Sequence, residues 1–208
     1  MRLDSRDITD QQPIASRFAF GKPDPENHMV LSDNLSPQLA WNDAPGDTKS
    51  FAVVCVDPDV PSEAGDVNIE GKTLPADMPR VDFFHWVMVD VPPDVRELAT
   101  GECSDGVTEG GKKQPPGPKG ARQGLNNYTQ FLQGSGLEGR HFGYDGPCPP
   151  WNDERLHHYH FTIYALDVEK LDLDQDFDGP AALEAMEGHV LDKATITGTY
   201  TLNPEVGS

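Results

Sequence analysis

At 208 residues the chain fits one domain, 1–208, that can bury roughly 70% of its unfolded surface and needs no disulfide or metal staple. Its 35 acidic residues against 16 basic ones give a net charge of −19, which repels nucleic acid and anionic membranes over most of the surface and argues against both as bulk partners. The acids are dispersed from Asp4 to Glu205. That spread reads as a solvated halophilic coat, with a docking face for a basic partner as the alternative.

Met1 to Asp10 alternates charged and polar residues without an apolar h-region, and the strongly apolar runs are only strand-length, so no transmembrane segment is expected. Cys55, Cys103 and Cys148 are odd in number and widely spaced, which suits neither a disulfide framework nor a zinc ribbon and fits a reducing, cytoplasmic setting.

From Ser16 to Trp41 short apolar pieces are separated by turn signals such as Gly21-Lys22-Pro23-Asp24-Pro25, with no helical period. Phe51 to Val56 reads as a strand covered on both faces, and Pro58 is expected to end its pairing. Phe51, Val53, Cys55 and Asp57 fall on one face, so Asp57 sits at the rim of the core. Val81 to Val91 is a second strand, with His85 on the face of Phe83, Val87 and Val89, and Asp94 is placed to cap a short helical turn through Leu98.

A long Gly/Pro-rich loop occupies about 99–143, a length that is uncommon unless it forms a lid or a binding loop or is disordered. Between Gly111 and Tyr144 it holds five basic residues and one acid, +4 in an acidic chain. Two readings stay open: the charge of a solvated loop is incidental, or Lys112, Lys113 and Lys119 supply a positive potential that draws anions towards the stretch at Gly146, with Arg122 tied to the fold.

Tyr144 to Pro150 is a rigid loop, because Pro147, Pro149 and Pro150 lack amide donors. His157 to Asp167 is rich in aromatic and β-branched residues and reads as a strand, placing His157, Tyr159, Phe161 and Ile163 on one face and His158, His160, Thr162 and Tyr164 on the other. Asp178-Gly179-Pro180 opens a helix over Ala181 to Leu191, and Ala194 to Leu202 forms a final strand with Gly198 as a bulge. Many strands and little helix predict a mainly β fold, an antiparallel two-sheet β-sandwich of Greek-key type with a few short helices, one of them near the C-terminus.

Six segments, taken in order, resemble the phosphatidylethanolamine-binding proteins, whose animal members include the Raf kinase inhibitor protein, and more closely their prokaryotic branch. They are Ser36-Pro37-Gln38-Leu39-Ala40-Trp41, Asp57-Pro58-Asp59-Val60-Pro61, Phe84-His85-Trp86, Gly120-Ala121-Arg122-Gln123-Gly124, Gly146-Pro147-Cys148-Pro149-Pro150 and Gly198-Thr199-Tyr200. The resemblance implies two sheets with a small pocket at one end for phosphate, phosphoethanolamine or a carboxylate. It assigns ligand binding to Asp57, His85, Tyr144, Gly146, Cys148, His157 and Tyr159, with Asp59, Pro149 and His158 in support.

Imidazole N–H, phenol O–H and loop amides are the donors an oxyanion requires, while Asp57 would orient one imidazole rather than touch the anion. The family usually has His-Arg-Tyr where this chain has His157-His158-Tyr159, and an imidazole does not reproduce a bidentate Arg pair with Asp59. Neither a Gly-x-Ser-x-Gly element nor a P-loop is present, and no cofactor, catalytic residue or metal ligand is assigned. The alternative is a hydrolase or metal-dependent enzyme that uses Asp57, His85 and His157. A partner kinase or protease follows only by analogy with the family, and a homodimer is open.

Overall fold

The structure, a computed structural model, describes residues 1–207. Eleven strands follow in chain order: β1 (Arg2–Asp4), β2 (Gln12–Pro13), β3 (Gly21–Asp24), β4 (His28–Leu31), β5 (Leu39–Asn42), β6 (Ser50–Pro61), β7 (Arg80–Val91), β8 (Glu97–Leu98), β9 (Arg122–Gln123), β10 (His157–Leu166) and β11 (Val190–Tyr200). Two short helices, α1 (Tyr128–Phe131) and α2 (Gly179–Met186), complete a mainly β architecture. No described helix is long and apolar enough to cross a membrane.

The strands form open sheets rather than a closed barrel: six strands in the order β2-β11-β10-β6-β7-β9, three in the order β1-β5-β8, and the β3-β4 hairpin. Pairing is antiparallel except for β2, which runs parallel to β11, so the expectation of wholly antiparallel pairing is corrected there. The central strands carry apolar residues on both faces because both are covered. Val53, Cys55, Phe161 and Ile163 pack with Leu3, Leu39, Trp41 and Leu98 of the three-stranded sheet. On the opposite face Ala52, Val54, Val87 and Val89 pack with Leu171, Phe177, Ala182 and Met186.

Several local expectations change. Strand β6 does not stop at Pro58 but continues to Pro61, because Pro58 and Asp59 lie in a bulge between the Asp57–Phe83 and Val60–Val81 pairs, where a missing amide donor costs no ladder bond. Asp94 caps no helix: Val95 N–H closes a turn on the Pro92 carbonyl, and Glu97–Leu98 pairs with β5. Asp178 does cap α2, accepting from Ala181 N–H at 3.1 Å, but the helix ends at Met186 and not Leu191. Gly188 at φ +80° reverses the chain, and Val190 already opens β11. Gly198 is not a bulge, since its register opposite Tyr159 is regular. It is glycine because a Cβ there would lie 2.4 Å from Ile14.

Candidate functional site

The site begins with an irregularity in β7. Cys55 pairs with Trp86 and the next residue, Val56, pairs with Phe84, so His85 stands opposite nothing on β6. This bulge shifts the alternation by one residue. Phe83 and His85 turn to the side of Tyr159, with ring centroids 5.1 Å apart for His85 and Tyr159, while Val87 and Val89 turn to the opposite cluster. His85 therefore does not share a face with Val87 and Val89.

Beside the bulge lies a small, partly open pocket whose polar members are Asp57, His85 and Tyr159 and whose walls include Val60, Phe83, Tyr128, Phe131, Cys148, Pro149 and Pro150. His85 Nδ1 lies 2.9 Å from the Asp145 main-chain oxygen. A carbonyl only accepts, so Nδ1 carries the proton and Nε2 is left without a protein partner among the described residues. Burial pushes the imidazole below its usual range despite the opposing pull of Asp57, so the ring is neutral and offers the pocket a lone pair. The Tyr159 hydroxyl is buried, and although the Asp57 carboxylate is near enough to act on it, no hydrogen bond of ordinary geometry satisfies it among the described residues. Burial also raises it well above the usual phenol range, so it remains a donor.

His157 is not a pocket donor. Its ring is fully buried, with Nδ1 2.6 Å from Asp57 Oδ2 and Nε2 3.1 Å from Asp153 Oδ2. Both partners are carboxylates, so both ring nitrogens donate and the ring is an imidazolium. Burial opposes that charge, but the hydrogen bonds to Asp153 and Asp57 prevail and raise it to about 9. Asp57 thus orients an imidazole as expected, though one directed away from the pocket, and its other oxygen accepts Asp59 N–H at 2.8 Å. Asp153 is held in turn by Arg80, at 2.5 and 3.0 Å.

Asp59 and His158 form the outer part of the same network. His158 gives its main-chain N–H and Nδ1 to Asp59 Oδ2 at 3.0 and 2.8 Å. The guanidinium absent at position 158 is supplied by Arg155, whose Nε is 2.5 Å from Asp59 Oδ1.

The Tyr144–Pro150 loop contributes less chemistry than expected. Tyr144 is fully buried, gives its hydroxyl to the Phe18 carbonyl at 2.6 Å, and packs on Trp86 away from the pocket. Gly146 offers no free amide, because its N–H is bonded to Asn34 Oδ1 and its carbonyl accepts from Tyr128. It is glycine because a Cβ would lie 2.0 Å from the Phe18 carbonyl oxygen. Cys148 and Pro149 do line the pocket. Burial pushes the Cys148 thiol up to about 12, so it is a packing group and not a thiolate.

Four of the five basic groups counted between Gly111 and Tyr144 are already ion-paired: Lys112 with Asp145, Lys119 with Asp94, Arg122 with Asp90 and Arg140 with Asp176. The segment's +4 is thus offset by acids from neighbouring segments, and of the five basic groups Lys113 alone makes no ion pair among the described residues. Arg122 is tied to the fold, since it also donates to the carbonyls of Leu171 and Leu173. Among the described residues no group of three or more His, Cys, Asp or Glu is placed to hold a metal ion.

Four residues of the site carry no motif that singles them out in the sequence: Tyr128, Asp153, Arg155 and Asp145. Spacing could not have found Asp153 or Arg155, since both lie in the irregular stretch before β10, where no periodicity assigns a shared face.

Comparison with known proteins places this arrangement. The sequence model described as "Phosphatidylethanolamine-binding protein" matches residues 4–201. The chain is 36% identical to a "UPF0098 protein" of Methanothermobacter thermautotrophicus over 85% of its length and 89% of that protein, and 32% identical to the "UPF0098 protein YbhB" of Escherichia coli over 97% and 100%. It also resembles the crystal structure of Escherichia coli YbcL, described as a new member of the mammalian PEBP family, with a TM-score of 0.68 and 27% identity over 96% of this chain and 97% of that one. With a family match that runs almost from end to end and relatives 36% and 32% identical over most of their length, the chain belongs to the phosphatidylethanolamine-binding protein family.

Proposed function

We propose that the pocket binds a small oxyanion, either a phosphate group such as that of phosphoethanolamine or a carboxylate, between Tyr159 O–H and His85 Nε2, and that binding draws a proton onto His85. The observation that carries this reading is the buried, unpartnered Tyr159 hydroxyl beside a histidine whose Nδ1 is already hydrogen-bonded. A buried polar group left without a partner costs on the order of 1–3 kcal/mol, and a ligand oxygen that accepts from it recovers that cost. A neutral Nε2 would repel the same anion, so the bound state favours the imidazolium.

Asp57 and Asp145 favour that charge, whereas burial and the His157 imidazolium resist it. Affinity should therefore fall as pH rises. The apolar walls fit a ligand with carbon attached to its anionic group. The Cys148 thiol and the doubly engaged His157 favour binding over catalysis.

Calorimetric titration with sulfate, which does not itself titrate between about pH 6 and pH 8, tests the site; the wild type should bind about tenfold more tightly at the lower pH, and His85→Gln should lose the dependence. Tyr159→Phe should weaken binding about tenfold at both pH values. Affinities unchanged in both variants would reject the pocket.

A further inference from the structure

Asp145 is bonded to His85 through both of its main-chain polar groups. Its N–H donates to the His85 carbonyl at 3.0 Å, and its carbonyl accepts the His85 Nδ1 proton at 2.9 Å. Its side chain is fully engaged too, and almost completely buried. Oδ1 accepts from Asn34 at 2.8 Å and Lys112 at 2.6 Å, and Oδ2 accepts from Asn126 at 2.9 Å and His141 at 3.3 Å. These four donors come from the segment after β4, from the long loop and from the turn before α1.

We infer that Asp145 is a positioning residue of the pocket: its carboxylate gathers Asn34, Lys112, Asn126 and His141, fixes the main-chain carbonyl that takes the Nδ1 proton of His85, and so keeps Nε2 as the nitrogen presented to a ligand. The output depends on direction as well as distance. A carbonyl that drifted by about 1 Å would release Nδ1–H, and the neutral ring would be free to move its proton to Nε2. The charge also matters, because a carboxylate accepts from two amides, an ammonium and a ring N–H at once, whereas a neutral side chain of the same shape has one accepting oxygen. Lys112, counted in the sequence as a steering charge, acts here as an anchor and also donates to the Tyr144 carbonyl at 2.8 Å. The inference rests on the anion-binding reading of the pocket for its functional meaning, but the tautomer can be read without any ligand.

Nitrogen NMR of 15N-histidine-labelled full-length protein at about pH 8 reports the His85 tautomer directly. The wild type should show protonated Nδ1 and bare Nε2. Asp145→Ala should show a mixture of tautomers and, because a neutral ring carrying Nε2–H can donate to the anion without taking up a proton, a pH dependence of sulfate binding reduced to less than about threefold; Asp145→Asn should lie between the two, and Lys112→Gln should shift in the same direction by less.

A residue that only secured the loop would lower stability and leave the tautomer in place. A folded Asp145→Ala with an unchanged His85 spectrum therefore overturns the inference. Should that variant fail to fold, an unchanged spectrum in both Asp145→Asn and Lys112→Gln does the same. Wild-type protein that binds no sulfate would sink the anion reading but not the tautomer result, so the two can fail separately.

Discussion

Arg155 and His158 grip opposite oxygens of Asp59, Arg155 through Nε to Oδ1 at 2.5 Å and His158 through Nδ1 to Oδ2 at 2.8 Å. The guanidinium thus reaches the buried carboxylate from the loop before β10, while the imidazole reaches it from the strand itself. Burial works against ionisation of Asp59, but its bonds to His158 and Arg155 outweigh burial and hold the carboxyl below the usual range. Arg155 is half-exposed, so its removal should cost about 1–2 kcal/mol rather than the larger penalty of a fully buried pair. Urea unfolding of Arg155→Ala should show this loss. Arg155→Lys should recover less than half of it, because a lysine does not keep the second bond to the Ala76 carbonyl.

His157 makes stability depend on pH in a definite direction. Its folded pKa, about 9, lies above the ordinary 6.5. The contribution is therefore complete below about pH 6.5 and is lost as pH rises towards 9, on the order of 3 kcal/mol in all. Denaturant midpoints for wild type and His157→Asn should lie far apart at about pH 6 and converge above pH 9. A constant gap would mean that the ring is neutral in the folded protein.

Gly146→Ala should be severe. The new Cβ would meet the Phe18 carbonyl oxygen at 2.0 Å, and that oxygen also accepts the Tyr144 hydroxyl. Because the obstacle is main chain, the loop has to move, at a cost of about 1–3 kcal/mol. The Gly146 carbonyl would carry its Tyr128 bond with it and deform the pocket wall. The measurements are thermal unfolding and sulfate affinity on the same preparation, and both should fall.

The net charge of −19 leads to a prediction about salt. Raising potassium chloride from about 0.1 M to about 2 M shortens the screening length from ~10 Å to less than ~3 Å and removes much of the repulsion among dispersed carboxylates. The thermal midpoint should rise by several degrees. A flat or falling midpoint would show that the surface ion pairs compensate for the excess charge.

Much of this site was legible because strands declare their faces. Alternation alone put His157, Tyr159, Phe161 and Ile163 together on one face of β10 and Asp57 with Cys55 on β6, and the last three of that β10 set share the main core. What alternation could not reveal was a change of phase. The bulges at His85 and at Pro58–Asp59 reassign every residue beyond them, and nothing in a run of apolar letters marks an unpaired position. Counter-ions were invisible for another reason: Arg80 is 73 residues from the Asp153 it holds, and Lys112 is 33 from Asp145. A charge count by segment records such groups as free until the fold brings their partners to them. Tyr144 misled because an irregular loop has no periodicity from which its direction could be read.

The unpaired position of His85 also bears on how this scaffold could change. Asp57 faces Phe83 across the ladder and Tyr159 faces Gly198, so replacing either changes a cross-strand pair on which the sheet depends. Residue 85 has no such neighbour on β6. Exchanging its side chain would spare every cross-strand pair, and what would change is the bond to Asp145 and the packing on Phe83, Tyr128 and Tyr159, so the chemistry of the pocket is separable from strand register though not from its local packing.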